Sequence, residues 1–287
     1  MKPDTVNSYH ERISRALTHI QQNLDGSLTL EELAGVACFS PFHFHRVFRG
    51  MVGEAVGEHV RRLRLERAAR QLQRTESAIL EIALEAGYET HESFTRAFAE
   101  TFGMPPSEFR RTREASLEAR LPAGAPSRAS GFRVRRLEAM RVAFIRHVGP
   151  YDEVGKAWSK LYPWAARQGL LGAGTRVVGI CHDDPDITPP DKLRYDAALI
   201  VNRPVARAGE IGAIEIPAGE YASALHTGPH QCLSDSYAEL AGKWLPGTGR
   251  ELRSAAALEF YLDSPQTTPA EELRTEICLP LVAETRS

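Results

Sequence analysis

Residues 33–53, LAGVACFSPFHFHRVFRGMVG, decide the first half of the chain, because their pattern returns at 82–103 as IALEAGYETHESFTRAFAETFG. Leu33-Ala34 through Cys38-Phe39 matches Ile82-Ala83 through Gly87-Tyr88 at an offset of 49. Phe44-x-Arg46-x-Phe48 with Gly53 matches Phe94-x-Arg96-x-Phe98 with Gly103 at 50, one residue being gained in the turn. Such a repeat marks one supersecondary unit used twice. Each copy reads as a short helix, a tight turn and a second helix whose apolar stripe (Phe44, Val47, Phe48, Met51; Phe94, Ala97, Phe98) faces a core, which is a helix-turn-helix pattern. Ser40 before Pro41 supplies an N-cap and a first helical residue, and Gly53 and Gly103 close the second helices.

Outward from these units, apolar residues recur at intervals of three and four from Ser8 to about Arg113. The spacing predicts helices over 8–23, 29–37, 41–52, 54–74, 78–86, 91–102 and 106–113. The free face of each second helix then carries types suited to base and phosphate contacts: Phe42, His45, Arg46 and Arg49 in one copy, His91, Glu92, Thr95 and Arg96 in the other. The helix between them, about 20 residues, is worth ~30 Å at 1.5 Å per residue, against ~34 Å for one turn of B-DNA. One chain can therefore present both helices to successive major grooves of double-stranded DNA. The whole chain has a formal net charge of -2, but residues 43–74 hold eight arginines against three glutamates, and the arginines of 61–74 are expected near phosphates.

Residues 114–130 lose the apolar period and collect Ala, Pro, Gly and Ser, the composition of a linker. They separate an expected DNA-binding domain, 1–113, from a second domain, 131–285. In the second domain VRRLEAMRVAFIRHVG, RYDAALIV, ASALHTG, LEFYLD and TEICLPL read as strands, with helices near 152–168 and 232–244. This half also repeats: Gly149-Pro150 with Trp158 and Leu161 matches Gly228-Pro229 with Tyr237 and Leu240 at 79, and RYDAALIV matches RTEICLPL at 80. The expected fold is an all-α double helix-turn-helix domain followed by an α+β domain of two pseudo-symmetric βαββ repeats, each with its own sheet. In LEFYLD, Leu258, Phe260 and Leu262 share one face and Glu259 and Tyr261 the other. The aliphatic face is assigned to the helices, leaving the carboxylate and ring for a groove between the copies.

Composition excludes other classes. Apolar residues at 43% and charged residues at 25% are those of a globular protein. No run nears the ~18 apolar residues of a membrane span and the N-terminus lacks a secretory apolar core, so a cytoplasmic home without membrane contact is expected. Cys38, Cys181, Cys232 and Cys278 are isolated, which suggests neither disulfides nor zinc, and His147 and His226 lack a second ligand at metal spacing. No metal or cofactor is expected.

Residues 8–113 resemble the DNA-binding domain of AraC/XylS-type transcription regulators, on LAGVACFSPFHFHRVFRGMVG and IALEAGYETHESFTRAFAETFGMPPSEFRR. The resemblance implies base-edge contacts from Phe42, His45 and Arg46 and from His91, Glu92, Thr95 and Arg96. Glu92 departs from the neutral polar residue of many relatives. The stretch 139–282 resembles the GyrI-like effector-binding domain, on HVGPYDEVGKAW, RYDAALIV and LEFYLDSPQTTPAEELRTEICLPL. In drug-sensing members a Glu in the matching strand pairs with cationic aromatic ligands, a role that falls on Glu259 here. Tyr261, Trp158, Tyr195, Tyr221 and Trp244 are the candidate aromatic contacts. Trp158 and Trp244 read equally as helix core, and Glu259 as a surface charge. Asp196 and Glu276, at matched positions, read as structural. The expectation is a one-component regulator with three partners: promoter DNA, a small effector and RNA polymerase. The alternative is a small-molecule hydrolase using Glu259 with Tyr261 as an acid/base pair.

Overall fold

The computed structural model describes residues 3–112, 128–172 and 174–283, with side chains from residue 8. The predicted helix end at 113 and linker residues 114–127 lie outside the described residues. The chain divides into two compact units, one built on the N-terminal helices and one on a sheet.

The helical unit runs α1 (Pro3–Gln22), α2 (Leu30–Val36), α3 (Pro41–Val52), α4 (Val56–Arg74), α5 (Ile79–Glu85), α6 (His91–Phe102) and α7 (106–112). Thr29, Ser40 and Thr90 cap α2, α3 and α6, their hydroxyls accepting from the backbone N–H of Glu32, His43 and Ser93. Leu33, Ala34, Phe44 and Phe48 of the first repeat and Ile82, Ala83, Phe94 and Phe98 of the second are all buried. The paired phenylalanines pack at 5.5 Å in both copies.

The two turns are built alike. In one, the N–H of Cys38 donates to Gly35 O and that of Phe39 to Ala34 O; in the other, Gly87 donates to Leu84 O and Tyr88 to Ala83 O. Both first residues are left-handed, Cys38 at φ 53° and Gly87 at φ 81°. A Cβ is disfavoured there, so Cys38→Gly is expected to stabilise the helical unit by ~0.5–1 kcal/mol in urea denaturation followed by circular dichroism. A loss of stability would show that the contact from Arg15 to the exposed Cys38 thiol outweighs the backbone cost.

Helix α4 corrects the expectation of phosphate contacts for three of its six arginines, Arg62, Arg64 and Arg67, while Arg61 and Arg74 stay exposed. Arg64 donates to Leu24 O (3.0 Å) and Gly26 O (2.6 Å), and Arg67 to Glu85 O (2.7 Å) and to Asp25. Arg62 pairs with Glu54 (2.8 Å) and Glu66 (2.9 Å), and His59 also meets Glu54 (2.8 Å). Burial works against the Glu54 charge, yet hydrogen bonds from His59 and Arg62 hold its pKa down to about 2. The Arg64 and Arg67 guanidiniums reach carbonyls at or just past the ends of α1 and α5. A count of charges carries no record of such partners.

The second unit contains β1 (Ala129–Leu137), β2 (Met140–Val148), α8 (Gly155–Arg167), β3 (Val177–Cys181), β4 (Arg194–Ile200), β5 (Ile211–Ile216), β6 (Gly219–Thr227), α9 (Leu233–Ala238), β7 (Ala257–Tyr261) and β8 (Arg274–Pro280). A π-helical segment, Glu239–Trp244, continues α9. Instead of two sheets there is one of eight strands, ordered β1-β6-β8-β7-β3-β4-β2-β5. Exchanging β1 with β5, β2 with β6, β3 with β7 and β4 with β8 returns the same order reversed. The predicted repeat is therefore real, and its pseudo-twofold passes between β3 and β7, where Gly179 faces Glu259. Strands β3 and β5 were not predicted.

This order forces the sheet to curl. Strands β1 and β2 stand six places apart, ~29 Å in a flat sheet at ~4.8 Å per strand. Three residue steps from Leu137 to Met140 cover at most ~11 Å. The link between β5 and β6 is as short. The inner face consequently fills with side chains from many strands, among them Leu137, Val142, Phe144, Val178, Ile180, Ile216, Leu258, Phe260 and Cys278. Leu233, Leu240 and Leu245 pack instead on Ala222, Ala224, Ile277 and Leu279 of the other face. That corrects the predicted orientation of LEFYLD. Leu258 and Phe260 line the curled interior, Glu259 and Tyr261 lie under the helices, and Leu262, past the strand end, is 50% exposed.

Candidate functional sites

On the helical unit, α3 and α6 each bury the phenylalanine stripe and turn the opposite side outward. Phe42, 62% exposed, His45, Arg46 and Arg49 stand on α3; His91, Glu92 and Arg96 stand exposed on α6, with Thr95 half-buried. The Arg46 guanidinium lies 4.4 Å above the Phe42 ring, which aims it outward, and His91 Nδ1 approaches Thr95 Oγ1 at 3.5 Å. An exposed aromatic with no apolar cover, stacked by an arginine, is suited to a base edge and thymine methyl. The 19 residues of α4 give a rod of ~28 Å at 1.5 Å per residue.

In the second unit the chemistry gathers on the pseudo-twofold. Glu259 is only 7% exposed. Its Oε2 accepts from Tyr261 Oη (2.6 Å) and its Oε1 from Tyr237 Oη (2.9 Å). Tyr261 Oη also meets Tyr195 Oη (2.8 Å), which accepts from Trp158 Nε1 (3.2 Å). Trp158 stands edge-on to Tyr261 at 5.8 Å, Tyr151 edge-on to Tyr195 at 6.2 Å, and the His230 ring packs on Tyr261 at 5.1 Å.

Glycine makes this arrangement possible. A Cβ at Gly179 would lie 2.5 Å from Tyr195 Oη and 2.7 Å from Tyr261 Oη, so the two hydroxyls meet directly above the β3 backbone. The repeat has thus diverged across its axis: one copy supplies the carboxylate, and the other leaves room for the rings that address it.

Among the described residues no arginine or lysine pairs with Glu259. Burial, reinforced by the Glu259 charge, pushes the hydroxyls of Tyr195, Tyr237 and Tyr261 well above the ordinary phenol range, so they remain neutral donors. The Cys181 thiol beside Glu259 is pushed up in the same way and stays protonated. The result is a buried carboxylate walled by aromatic rings, with a protonated thiol beside it.

Of the six expected effector residues, four come together: Glu259, Tyr261, Trp158 and Tyr195. Tyr221 does not join them. Its register opposite Pro280 turns it to the curled interior, where its hydroxyl donates to Pro217 O (3.3 Å). Trp244, on the π-helical segment, stacks on Phe132 at 6.0 Å in the helix–sheet core. Tyr237, Tyr151, His230, Cys181 and Gly179 were missed. Matching at 79 had already placed Tyr237 opposite Trp158, and the same offset carries Tyr151 onto His230. Asp196 and Glu276 hold ion pairs on the inner face, Asp196 with Arg146 (2.7 Å) and His182 (2.8 Å), Glu276 with Arg133 (2.7 Å) and Arg135. His147 and His226 bind the carbonyls of Pro150 and Pro229 (2.9 and 3.2 Å), fixing matched turns. Among the described residues no group of three His, Cys, Asp or Glu is placed to hold a metal, and no helix is long and apolar enough to cross a membrane.

Comparison with known proteins agrees with this division. Residues 131–282 match the GyrI-like small molecule binding domain and residues 33–112 a helix-turn-helix domain. The transcriptional activator AarP of Providencia stuartii is 37% identical over 98 residues, 34% of this chain and 73% of that protein. The uncharacterized HTH-type transcriptional regulator YbfP of Bacillus subtilis is 36% identical over 102 residues, 36% of this chain; the match spans about a third (35%) of that relative. The structure of the EcmrR–DNA complex is similar over 88% of this chain and 98% of that one, at 16% identity and a TM-score of 0.46. The chain belongs to the GyrI-like family and carries an AraC-family helix-turn-helix domain ahead of its GyrI-like small-molecule-binding domain.

Proposed function

We propose that the protein is a sequence-specific, ligand-controlled transcription regulator with a DNA-binding domain over 1–113 and an effector domain over 131–285. The DNA contacts are Phe42, His45, Arg46 and Arg49 on α3 and His91, Glu92, Thr95 and Arg96 on α6. The effector is a cationic aromatic molecule, its charge met by Glu259 and its rings by Trp158, Tyr195, Tyr237 and Tyr261. One observation carries the effector class: a buried carboxylate whose described partners are neutral hydroxyls and a thiol. Burying an unpaired charge is costly, and the cost is recovered when a cation enters. The effector shifts promoter occupancy, or contact with RNA polymerase, by binding one domain arrangement better than another.

The test uses the full chain with tetraphenylphosphonium. Saturable quenching of tryptophan fluorescence, lost in Trp158→Phe, and a cation-dependent change in affinity for DNA selected from a random pool are expected. Quenching that never saturates, together with DNA affinity indifferent to the cation, would refute the reading.

A further inference from the structure

The pseudo-twofold singles out a polar group that the Glu259 cluster leaves unused. Thr275 of β8 corresponds at 80 to Tyr195 of β4, and its side chain lies on the helix-covered face of the sheet that carries Glu259, in register with Tyr261 on one side and His226 on the other. In the first repeat the hydroxyl at this position is fully engaged, between Trp158 and Tyr261. In the second it is not. Thr275 is completely buried, and its Oγ1 has no hydrogen-bond partner.

Its two cross-strand neighbours are already engaged elsewhere. His226 spends Nδ1 on Ser236 Oγ (2.7 Å) and Nε2 on Pro229 O (3.2 Å). The Tyr261 hydroxyl reaches away, over Gly179, to Glu259 and Tyr195. A buried hydroxyl left without a partner costs ~1–3 kcal/mol, and a valine of the same shape would avoid that cost. Retaining the hydroxyl beside Tyr261, in the cluster around Glu259, is accounted for when a bound molecule that parts these side chains supplies the missing partner.

We infer that Thr275 is a second polar anchor of the proposed effector site, so the effector is a cationic aromatic that also carries a hydrogen-bonding nitrogen or oxygen. This rests on the reading of Glu259 as the cation site. The half-buried His230 ring against Tyr261 belongs to the same wall and keeps it polar without adding charge, because burial lowers the His230 pKa.

Two probes separate the parts: ethidium, a planar cation with two aromatic amino groups, and tetraphenylphosphonium, a cation with no hydrogen-bonding group. In the full chain Thr275→Val is expected to weaken ethidium ~5- to 20-fold and to leave tetraphenylphosphonium within about twofold. Thr275→Ser, which keeps the hydroxyl, restores ethidium. Without ligand, Thr275→Val is expected to melt no lower than the wild type. Equal loss of both probes, no loss of either, or a clear fall in melting temperature overturns the anchor while the Glu259 reading stands. Failure of both cations to bind the wild type overturns both.

Discussion

Glu259→Gln is expected to lower the affinity of the full chain for tetraphenylphosphonium ~30- to 100-fold, as measured by isothermal titration calorimetry. Losing the charge of a desolvated ion pair costs ~2–5 kcal/mol, and the lower part of that range applies because the ring walls still contribute ~0.5–2 kcal/mol each through stacking and cation–π contact. A neutral aromatic of similar size should bind the variant as well as the wild type. The free protein supplies the control. Glutamine keeps an acceptor for Tyr237 and removes an unpaired buried charge, so the melting temperature should not fall. If the cation binds the variant undiminished, the carboxylate is structural and the proposed effector class fails.

Arg46→Ala and Arg96→Ala are expected to weaken binding to a selected DNA site by ~1–3 kcal/mol each. The two lie on separate reading helices, so the double variant should lose close to the sum, about one and a half to four and a half decades in a gel-shift titration. Affinity for unrelated DNA should change little, because phosphate contacts supply most non-specific binding while base contacts discriminate. An equal loss on both kinds of DNA would assign these arginines to the backbone and move sequence reading to Phe42, His45, His91 and Thr95.

How far the sequence was legible depends on what kind of force fixes each feature. The helical repeat was readable because the phenylalanine spacing, the Ser40-Pro41 start and the glycine stops all describe local geometry. The doubled sheet domain was readable for a similar reason, since the offsets of 79 and 80 survive in its turns. Strand β3 was missed because VVGIC is short, continuously apolar and interrupted by the glycine on which the pocket depends. The orientation of β7 was inverted because alternation separates faces without saying which the helices cover. That choice is made by chain connectivity, through the two short links that curl the sheet and bury the Leu258 and Phe260 side. Arg64 and Arg67 of α4 turn inward because their partners include the carbonyls of Leu24, Gly26 and Glu85, which have no signature in the composition.

The palindromic strand order also fixes what the two repeats owe each other. Strand β1 opens the first repeat yet completes the flank of the second beside β6, and β5 does the reverse. Neither half is self-sufficient: excising one strips an edge from its twin and uncovers the lining of the curled interior. The arrangement is that of an intertwined dimer written into a single polypeptide. Within one chain the two copies of the central position take opposite roles, glycine and glutamate, which an identical pair of subunits never could.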